Sequence, residues 1–555
     1  MPIQLTTVQG ENLLQSKETP WTVYPRPQMR RKSYVNLNGT WELAVGEEQY
    51  DIRVPFCPES LLSGVQKHFS EGAPLKYRRN FTLPEHFNQG RVLLHIGGAD
   101  QKAEIYVNQT RLATHVGGYD SFTVDITSAL QEENELVIIC TDDLRDLSQP
   151  YGKQVIPAKR GGMWYTPVSG IWQTVWLESV PETYIENLRI HNRGYAVEIS
   201  ISPVLEGKVI VPQLGEFPLN NGKVTILPEN PHLWSPEDPY LYDFSVETAE
   251  DKVESYFAIR SLEAKDNRLC LNGKPYFFHG LLDQGYWPDG LFTPATPECY
   301  AEDILAMKNL GFNMLRKHIK VEPEEFYYQC DKLGMVVFQD MVNNGDYSFF
   351  RDTALPTVGL QKLPDKHLHR DKKTRQEFLR QMELTVRRLQ NHPSICYWTI
   401  FNEGWGQFDS DNVYEQFRKL DDTRFIDSTS GWFRQKKTDV DSRHVYFKPI
   451  KLKAGEKPLV LSEFGGYSYK PDRHVFNTES TYGYGKFDDP DQYAAAVARL
   501  YEEQVIPARE NGLCAAVYTQ VSDIEDETNG ILSYDRKVCK LTPEIMCPIA
   551  AKLCK

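Results

Sequence analysis

Two glutamates sixty positions apart carry the chemistry this chain could do. Glu403 ends the run Ile395-Cys396-Tyr397-Trp398-Thr399-Ile400-Phe401-Asn402-Glu403, and Glu463 lies in Pro458-Leu459-Val460-Leu461-Ser462-Glu463-Phe464-Gly465. Each run is rich in β-forming residues, too short for a helix and too apolar for a surface strand. That pattern suits a strand buried on both faces of a parallel sheet. A carboxylate at the tip of such a strand stands where a barrel keeps its reactive groups. Two of them suit work on a glycosidic bond. One carboxylic acid protonates the departing oxygen, and a second carboxylate attacks the anomeric carbon or activates water. Asn402, just before Glu403, offers an amide to a sugar hydroxyl beside the breaking bond. Phe464-Gly465-Gly466, after Glu463, is a small-residue loop that lets a sugar ring come close.

The elements that must position this pair are read from residue 263 onward. Eight strands are expected: Pro275–His279, Phe312–Arg316, Met335–Gln339, Ile395–Asn402, Arg424–Asp427, His444–Phe447, Leu459–Glu463 and Cys514–Thr519. Amphipathic helices fall between several of them. Phe378, Met382, Val386 and Leu389 repeat at helical spacing in Thr374–Gln390, before Asn391-His392-Pro393 stops the helix. Ala495, Val497, Leu500, Val505 and Ile506 give a second buried stripe. Strand and helix in alternation over 263–555 predict a (β/α)8 TIM barrel. Glu403 then ends strand four and Glu463 strand seven, on roughly opposite sides of the barrel, facing across its mouth.

Two all-β domains come first. Residues 1–180 open with an irregular, proline-punctuated stretch. Period-two runs follow, such as Val92, Leu94 and Ile96, or Ala103, Ile105 and Val107, and they predict a β-sandwich of jelly-roll type. Residues 181–262 hold five to seven short strands, the size of an immunoglobulin-like β-sandwich. The net charge of −14 leaves no basic face for nucleic acid or an anionic membrane as partner. No stretch has the length of a membrane-spanning helix. Met1-Pro2-Ile3-Gln4-Leu5 has no secretory apolar core. The ten cysteines show no metal spacing and read as reduced, mostly buried thiols. A cytoplasmic protein is the expectation. No strand–GxGxxG–helix unit or phosphate loop is present, so no cofactor is expected. Aromatics at 12 % suit a protein that stacks on sugar faces, and equally an aromatic-rich core.

On these residues the chain resembles glycoside hydrolase family 2, the β-galactosidase and β-glucuronidase family. Leu37-Asn38-Gly39-Thr40-Trp41 is similar to the opening of the family's jelly roll and Gly170-Ile171-Trp172 to its close. Asn313-Met314-Leu315-Arg316 with Cys330-Asp331-Lys332-Leu333-Gly334 is similar to the first family signature. Asn402-Glu403 matches the acid/base motif, and Ser462-Glu463-Phe464-Gly465 matches the nucleophile motif. The resemblance implies a retaining, exo-acting β-glycosidase on a carbohydrate or glycoconjugate, with Glu403 as acid/base and Glu463 as nucleophile. It also implies that Arg316 orients the nucleophile, that Tyr446 lies beside Glu463, that Trp432 lines the sugar pocket, and that the chain self-associates into a homo-oligomer.

Departures from the family narrow the sugar. The glucuronidase branch grips the substrate carboxylate with an Asn-x-Lys motif, but that place reads Glu527-Thr528-Asn529 here. The jelly-roll loop that carries a sugar-binding aspartate elsewhere reads Gly161-Gly162-Met163-Trp164-Tyr165. Asp283 is therefore the candidate hydroxyl acceptor, and Trp164 and Trp405 join the candidates that face substrate. The metal ligands of the large β-galactosidases are not recognisable around Asp340-Met341-Val342-Asn343-Asn344, and no metal is expected. Lys317 and Lys320, in Arg316-Lys317-His318-Ile319-Lys320, would hold a uronic acid carboxylate if they reach the pocket. The readings left open are a terminal galactose-like or hexuronic acid residue, a β-mannoside or α-L-arabinopyranoside, and a non-catalytic carbohydrate-binding protein.

Overall fold

The computed structural model describes residues 3–355, 364–446 and 448–554. Met1, Pro2 and Phe447, on which two of the expectations above fall, lie outside the described residues. The N-terminal jelly roll packs a six-stranded antiparallel sheet on a four-stranded one. Alternating residues of both sheets, among them Leu43, Ile52, Val92, Leu94, Ile105 and Ile138, fill the space between them. The Leu37–Trp41 turn is held by its own tryptophan, whose indole donates to the Leu37 carbonyl at 2.7 Å. In the second sandwich a three-stranded sheet faces a four-stranded one over Val197, Ile199, Val209, Phe244 and Val246. The opening stretch is less irregular than expected. Val8–Gln15 is a helix capped by Thr7. Only Gly10 and Leu13 of it are buried, too little for a periodic signal. It is pinned instead by Asp289, which accepts from the Thr7 amide and hydroxyl at 2.8 and 2.6 Å.

The eight parallel strands are β1 (Phe278–Asp283), β2 (Met314–Lys317), β3 (Val336–Asp340), β4 (Ile395–Asn402), β5 (Phe425–Ser430), β6 (Asp441–Val445), β7 (Leu459–Gly465) and β8 (Leu513–Thr519). Their ladder runs β5-β4-β3-β2-β1-β8-β7-β6, a TIM barrel nearly closed between β5 and β6. Among the described residues no helix follows β5 or β6, so the barrel keeps eight strands but not eight helices. The first strand starts three residues later than predicted, because Lys274–Pro275 pairs with Arg268–Leu271 in a small antiparallel sheet instead. Leu269 of that sheet and Trp234 pack against Phe278, Met314, Val336, Val460 and Ala515. They plug the end of the barrel opposite Glu403 and Glu463.

The sandwiches and the barrel share buried contacts. Trp172 is fully buried, donates to the Gly118 carbonyl at 2.8 Å and meets the barrel's Phe292 edge-on at 5.1 Å. The jelly-roll segment around residue 150 reaches across to the barrel's third loop. Tyr151 donates its amide to the Asn343 carbonyl (3.1 Å) and its hydroxyl to the Gly345 carbonyl (2.8 Å). Gly152, at φ +62°, makes this approach possible, since a Cβ there would stand 2.9 Å from the Ile319 carbonyl oxygen. No described helix is long and apolar enough to cross a membrane.

Within the barrel, Phe338 and Tyr397 stack at 4.1 Å with their planes 7° apart. Phe338→Ala is expected to cost about 3–5 kcal/mol through lost burial and the cavity left behind. The check is a lower urea midpoint of the barrel transition, with the conservative Phe338→Leu falling between.

Candidate active site

The two glutamates reach one point from different strands. Glu403 follows β4 directly and takes φ +51°, a left-handed conformation that costs an L-residue about 1–2 kcal/mol. Its amide donates to the Ser430 carbonyl at 3.0 Å, which holds the strained turn and swings the side chain inward. Glu463 lies within β7, 4 % exposed. Carboxylate oxygens of Glu403 and Glu463 and a ring nitrogen of His444 all lie within 4.8 Å of one another.

Arg316, at the end of β2 and 1 % exposed, organises the floor. It donates to Asp340 Oδ1 (2.9 Å), Glu463 Oε1 (3.0 Å), the Ser462 carbonyl (3.0 Å) and Asn402 Oδ1 (2.9 Å). With its oxygen taken, Asn402 is left with the amide NH2 to offer. Tyr446 donates to Glu463 Oε2 at 2.6 Å, shares a 2.9 Å hydrogen bond with Thr519, and stacks on Tyr484 at 4.1 Å. Burial by itself would raise the Glu463 carboxyl. The charges of His444, Arg316 and His318 and the Tyr446 hydrogen bond outweigh it and hold the group below its ordinary value. The same contest, won by Arg316 and His318, holds Asp340 below its ordinary value. Burial lowers His318, although its Nδ1 lies 2.8 Å from Asp340 Oδ2.

His444 is a site residue that strand counting assigned no role. Its Nδ1 lies 2.7 Å from Glu403 Oε1 and 3.6 Å from Glu463 Oε2, and its Nε2 3.1 Å from the Ser430 hydroxyl. Gly431, at φ +86°, leaves room for the ring, since a Cβ there would stand 2.6 Å from it. The available signal was alternation: His444 and Tyr446 are two residues apart, so an extended chain points both the same way. Glu403, His444 and Glu463 are also the group of ligand type close enough together to hold a metal ion among the described residues.

The other candidates divide. Trp432 is half-buried with its ring 6.3 Å from that of His444, at the same mouth. Trp164 stacks on Trp405 at 5.4 Å, and Tyr347 meets both edge-on. The jelly-roll tryptophan therefore completes an aromatic wall of the barrel. Lys317 and Lys320 do not stand free to meet a substrate. Lys317 Nζ is 1 % exposed and bonds Asp283 Oδ2 (2.6 Å) and Glu322 Oε1 (3.0 Å). Lys320 Nζ bonds Glu322 and the carbonyls of Gly285 (2.5 Å) and Phe292 (2.8 Å), and burial lowers it to about 8. The expectation that either lysine reaches the pocket is corrected. A buried charge must be paired, and Glu322 and Asp283 supply the pairing. Asp283 is spent likewise, accepting from Lys317 and the Gly285 amide.

The sequence matches the family descriptions "Glycosyl hydrolase 2 galactose-binding domain-like" over residues 60–159, "Glycosyl hydrolases family 2" over 182–260 and "Glycosyl hydrolases family 2, TIM barrel domain" over 262–467. The chain belongs to glycoside hydrolase family 2. Among its relatives, a β-galactosidase of Thermoanaerobacter pseudethanolicus is 26 % identical over 384 residues, 62 % of this chain and 46 % of the relative. A putative β-glucuronidase of Formosa agariphila is 22 % identical over 437 residues, 71 % of this chain and 48 % of the relative. The chain thus spans about half the length of these curated relatives. Two known structures share its fold nearly end to end. A β-D-glucuronidase of Dictyoglomus thermophilum superposes with a TM-score of 0.74 at 18 % identity, covering 96 % of this chain and 98 % of the other. A GH2 β-galacturonidase of Eisenbergiella tayi bound to galacturonate gives 0.71 at 19 %, covering 96 % and 99 %.

Arg316 neutralises two buried carboxylates that this family member carries at one spot. Arg316→Met is expected to destabilise the protein by about 3–5 kcal/mol near neutral pH, the cost of orphaning buried charge. In the wild type, the stabilisation from Asp340 and Glu463 is complete above their ordinary values, 3.8 and 4.5. It is lost as pH falls through the lower folded values. The gap between wild type and Arg316→Met in urea unfolding should therefore close as the pH is taken below about 4.

Proposed function

We propose that the chain is a retaining exo-β-glycosidase that removes a terminal β-linked galactose-like or hexuronic acid residue from a carbohydrate or glycoconjugate. The observation that carries this reading is the convergence of Glu403 and Glu463, whose nearest oxygens are no more than 4.8 Å apart. Carboxyl groups about 5–5.5 Å apart suit a covalent glycosyl-enzyme, whereas inversion needs about 6.5–9.5 Å to seat a water between them. The membership of family 2 and the named activities of its relatives, β-galactosidase and β-glucuronidase, support the same reading.

In the first step Glu463 attacks the anomeric carbon as the glycosidic bond breaks, and Glu403 delivers its proton to the departing oxygen. In the second, Glu403 takes a proton from water, which attacks the anomeric carbon and frees Glu463, so the configuration is retained. The depressed Glu463 carboxyl is ionised and ready to attack, with Arg316 and Tyr446 aiming it. His444 Nδ1, 2.7 Å from Glu403 Oε1, holds the acid's carboxyl in place, and Ser430 on the other ring nitrogen fixes the imidazole. Trp432, Asn402 and the Trp164–Trp405 wall are the surfaces assigned to the sugar.

A panel of p-nitrophenyl β-glycosides tests the reading. Glu463→Ala should abolish turnover, and a 2-deoxy-2-fluoro glycoside with a good leaving group should leave a covalent adduct on the Glu463 peptide by mass spectrometry. A label on another residue, or an inverted product by NMR, would sink the double displacement. His444→Phe should slow glycosides with poor leaving groups by about 10–100-fold, a share of the 10²–10⁴ that general acid catalysis supplies. Dinitrophenyl glycosides, which need no proton, should be nearly unaffected. An equal loss on both would mean that His444 only braces the barrel.

A further inference from the structure

Lys153 has no part in the reaction proposed above, yet it is placed at its centre. It comes from the jelly roll and is only 7 % exposed. Its ammonium lies 4.5 Å over the Trp405 ring, on the aromatic wall. Among the described residues it has no hydrogen-bond acceptor and no carboxylate within 4.0 Å. Its carbonyl accepts from the Tyr165 amide at 3.1 Å, and the Tyr165 hydroxyl bonds Glu527 Oε2. Glu527 Oε1 accepts from Asn529 at 3.0 Å. Tyr165 thus links the Lys153 backbone to the Glu527 carboxylate, and the two charged side chains do not close into an ion pair. Burial lowers the Lys153 ammonium, opposed by the charges of Glu527, Glu403 and Glu463. Burial raises Glu527, and Lys153 is the main charge opposing that.

An ammonium at the edge of a pocket, with no acceptor from the protein, is open to one that a ligand brings. Two kinds of acceptor are available on a terminal sugar. A uronic acid carboxylate would gain one cation and meet three carboxylates, with Lys317 and Lys320 already neutralised by Asp283 and Glu322. A hydroxyl can do both jobs: its oxygen accepts from Lys153, and its O–H donates to a remaining lone pair of Glu527, whose two oxygens already accept from Tyr165 and Asn529. We propose that Lys153 and Glu527 form a donor–acceptor clamp on one hydroxyl of the terminal sugar, which sets this site for neutral pyranosides over hexuronides. The proposal rests on the reading of the site as a glycosidase pocket and names its substrate class.

The test uses the full chain with p-nitrophenyl β-D-galactopyranoside, α-L-arabinopyranoside, β-D-glucuronide and β-D-galacturonide. At least one neutral glycoside should exceed both uronides in kcat/KM by about 100-fold or more, since a site built around a hydroxyl discriminates strongly. Lys153→Met should lower the neutral rate about 100-fold, Lys153→Arg should recover part of it, and circular dichroism should show both folded. The monodeoxy glycoside that lacks the clamped hydroxyl should be indifferent to Lys153→Met. A uronide preference that Lys153→Met abolishes would overturn the clamp in favour of a carboxylate grip. An unchanged neutral rate in Lys153→Met would overturn it outright. Titration of tryptophan fluorescence with galactose and galacturonic acid separates this idea from the enzyme reading. Lys153-dependent binding of galactose alone supports the clamp even if no glycoside turns over. Tighter galacturonic acid binding, or binding of neither sugar, counts against it.

Discussion

One buried guanidinium ties the catalytic end of the barrel together. Arg316 sits at the tip of β2 and reaches the ends of β3, β4 and β7 at once, through Asp340, Asn402 and the Ser462–Glu463 segment. A planar fork of five donors is the one side chain that can serve acceptors from so many directions in a dry site. The arrangement is tolerated because each buried carboxylate around it has a partner. Two carboxylates face one guanidinium, and His318 and His444 stand behind them. Move the arginine, and the nucleophile, the amide beside the acid and the third strand all lose their common reference.

The rest of the mouth follows the same rule of pairing buried charge. Beneath the loop after β1, Lys317 and Lys320 neutralise Asp283 and Glu322 and stabilise structure rather than substrate. Lys153 is the contrast: it is 7 % exposed against 1 % and 2 % for Lys317 and Lys320, and its ammonium lies over an aromatic face. It arrives from another domain, through a segment locked to the barrel by Tyr151, Gly152 and Tyr165. The pocket is therefore composite. The barrel supplies the carboxylate pair, and the jelly roll supplies the tryptophan wall and the unpaired cation.

Much of the barrel was legible because its signals are local. A strand buried on both faces must be a short apolar β-rich run, so Ile395–Asn402 was read to the residue. The strand ends were less legible where turn and strand compete for the same residues. Lys274–Pro275 joined a hairpin instead of β1, and β6 ends at Val445, before Tyr446. Helices were readable from apolar runs between only several of the strands, and none follows β5 or β6 among the described residues. Lys317 and Lys320 were misread for a different reason. Two lysines in a run of cations look available to a substrate carboxylate when their partners, Glu322 and the more distant Asp283, are not yet in space.

What the amino-acid sequence determined alone is the class of fold, the position of each carboxylate at a strand tip and the family, because periodicity, turn residues and motif order are written along the chain. Only the tertiary structure decided which charges are spent and which are free. Whether a lysine pairs with a carboxylate is a matter of a few ångströms between residues tens or hundreds of positions apart. His444 beside Glu403, Lys153 above Trp405 and the short gap between Glu403 and Glu463 exist only once the barrel closes and the jelly roll is seated against it.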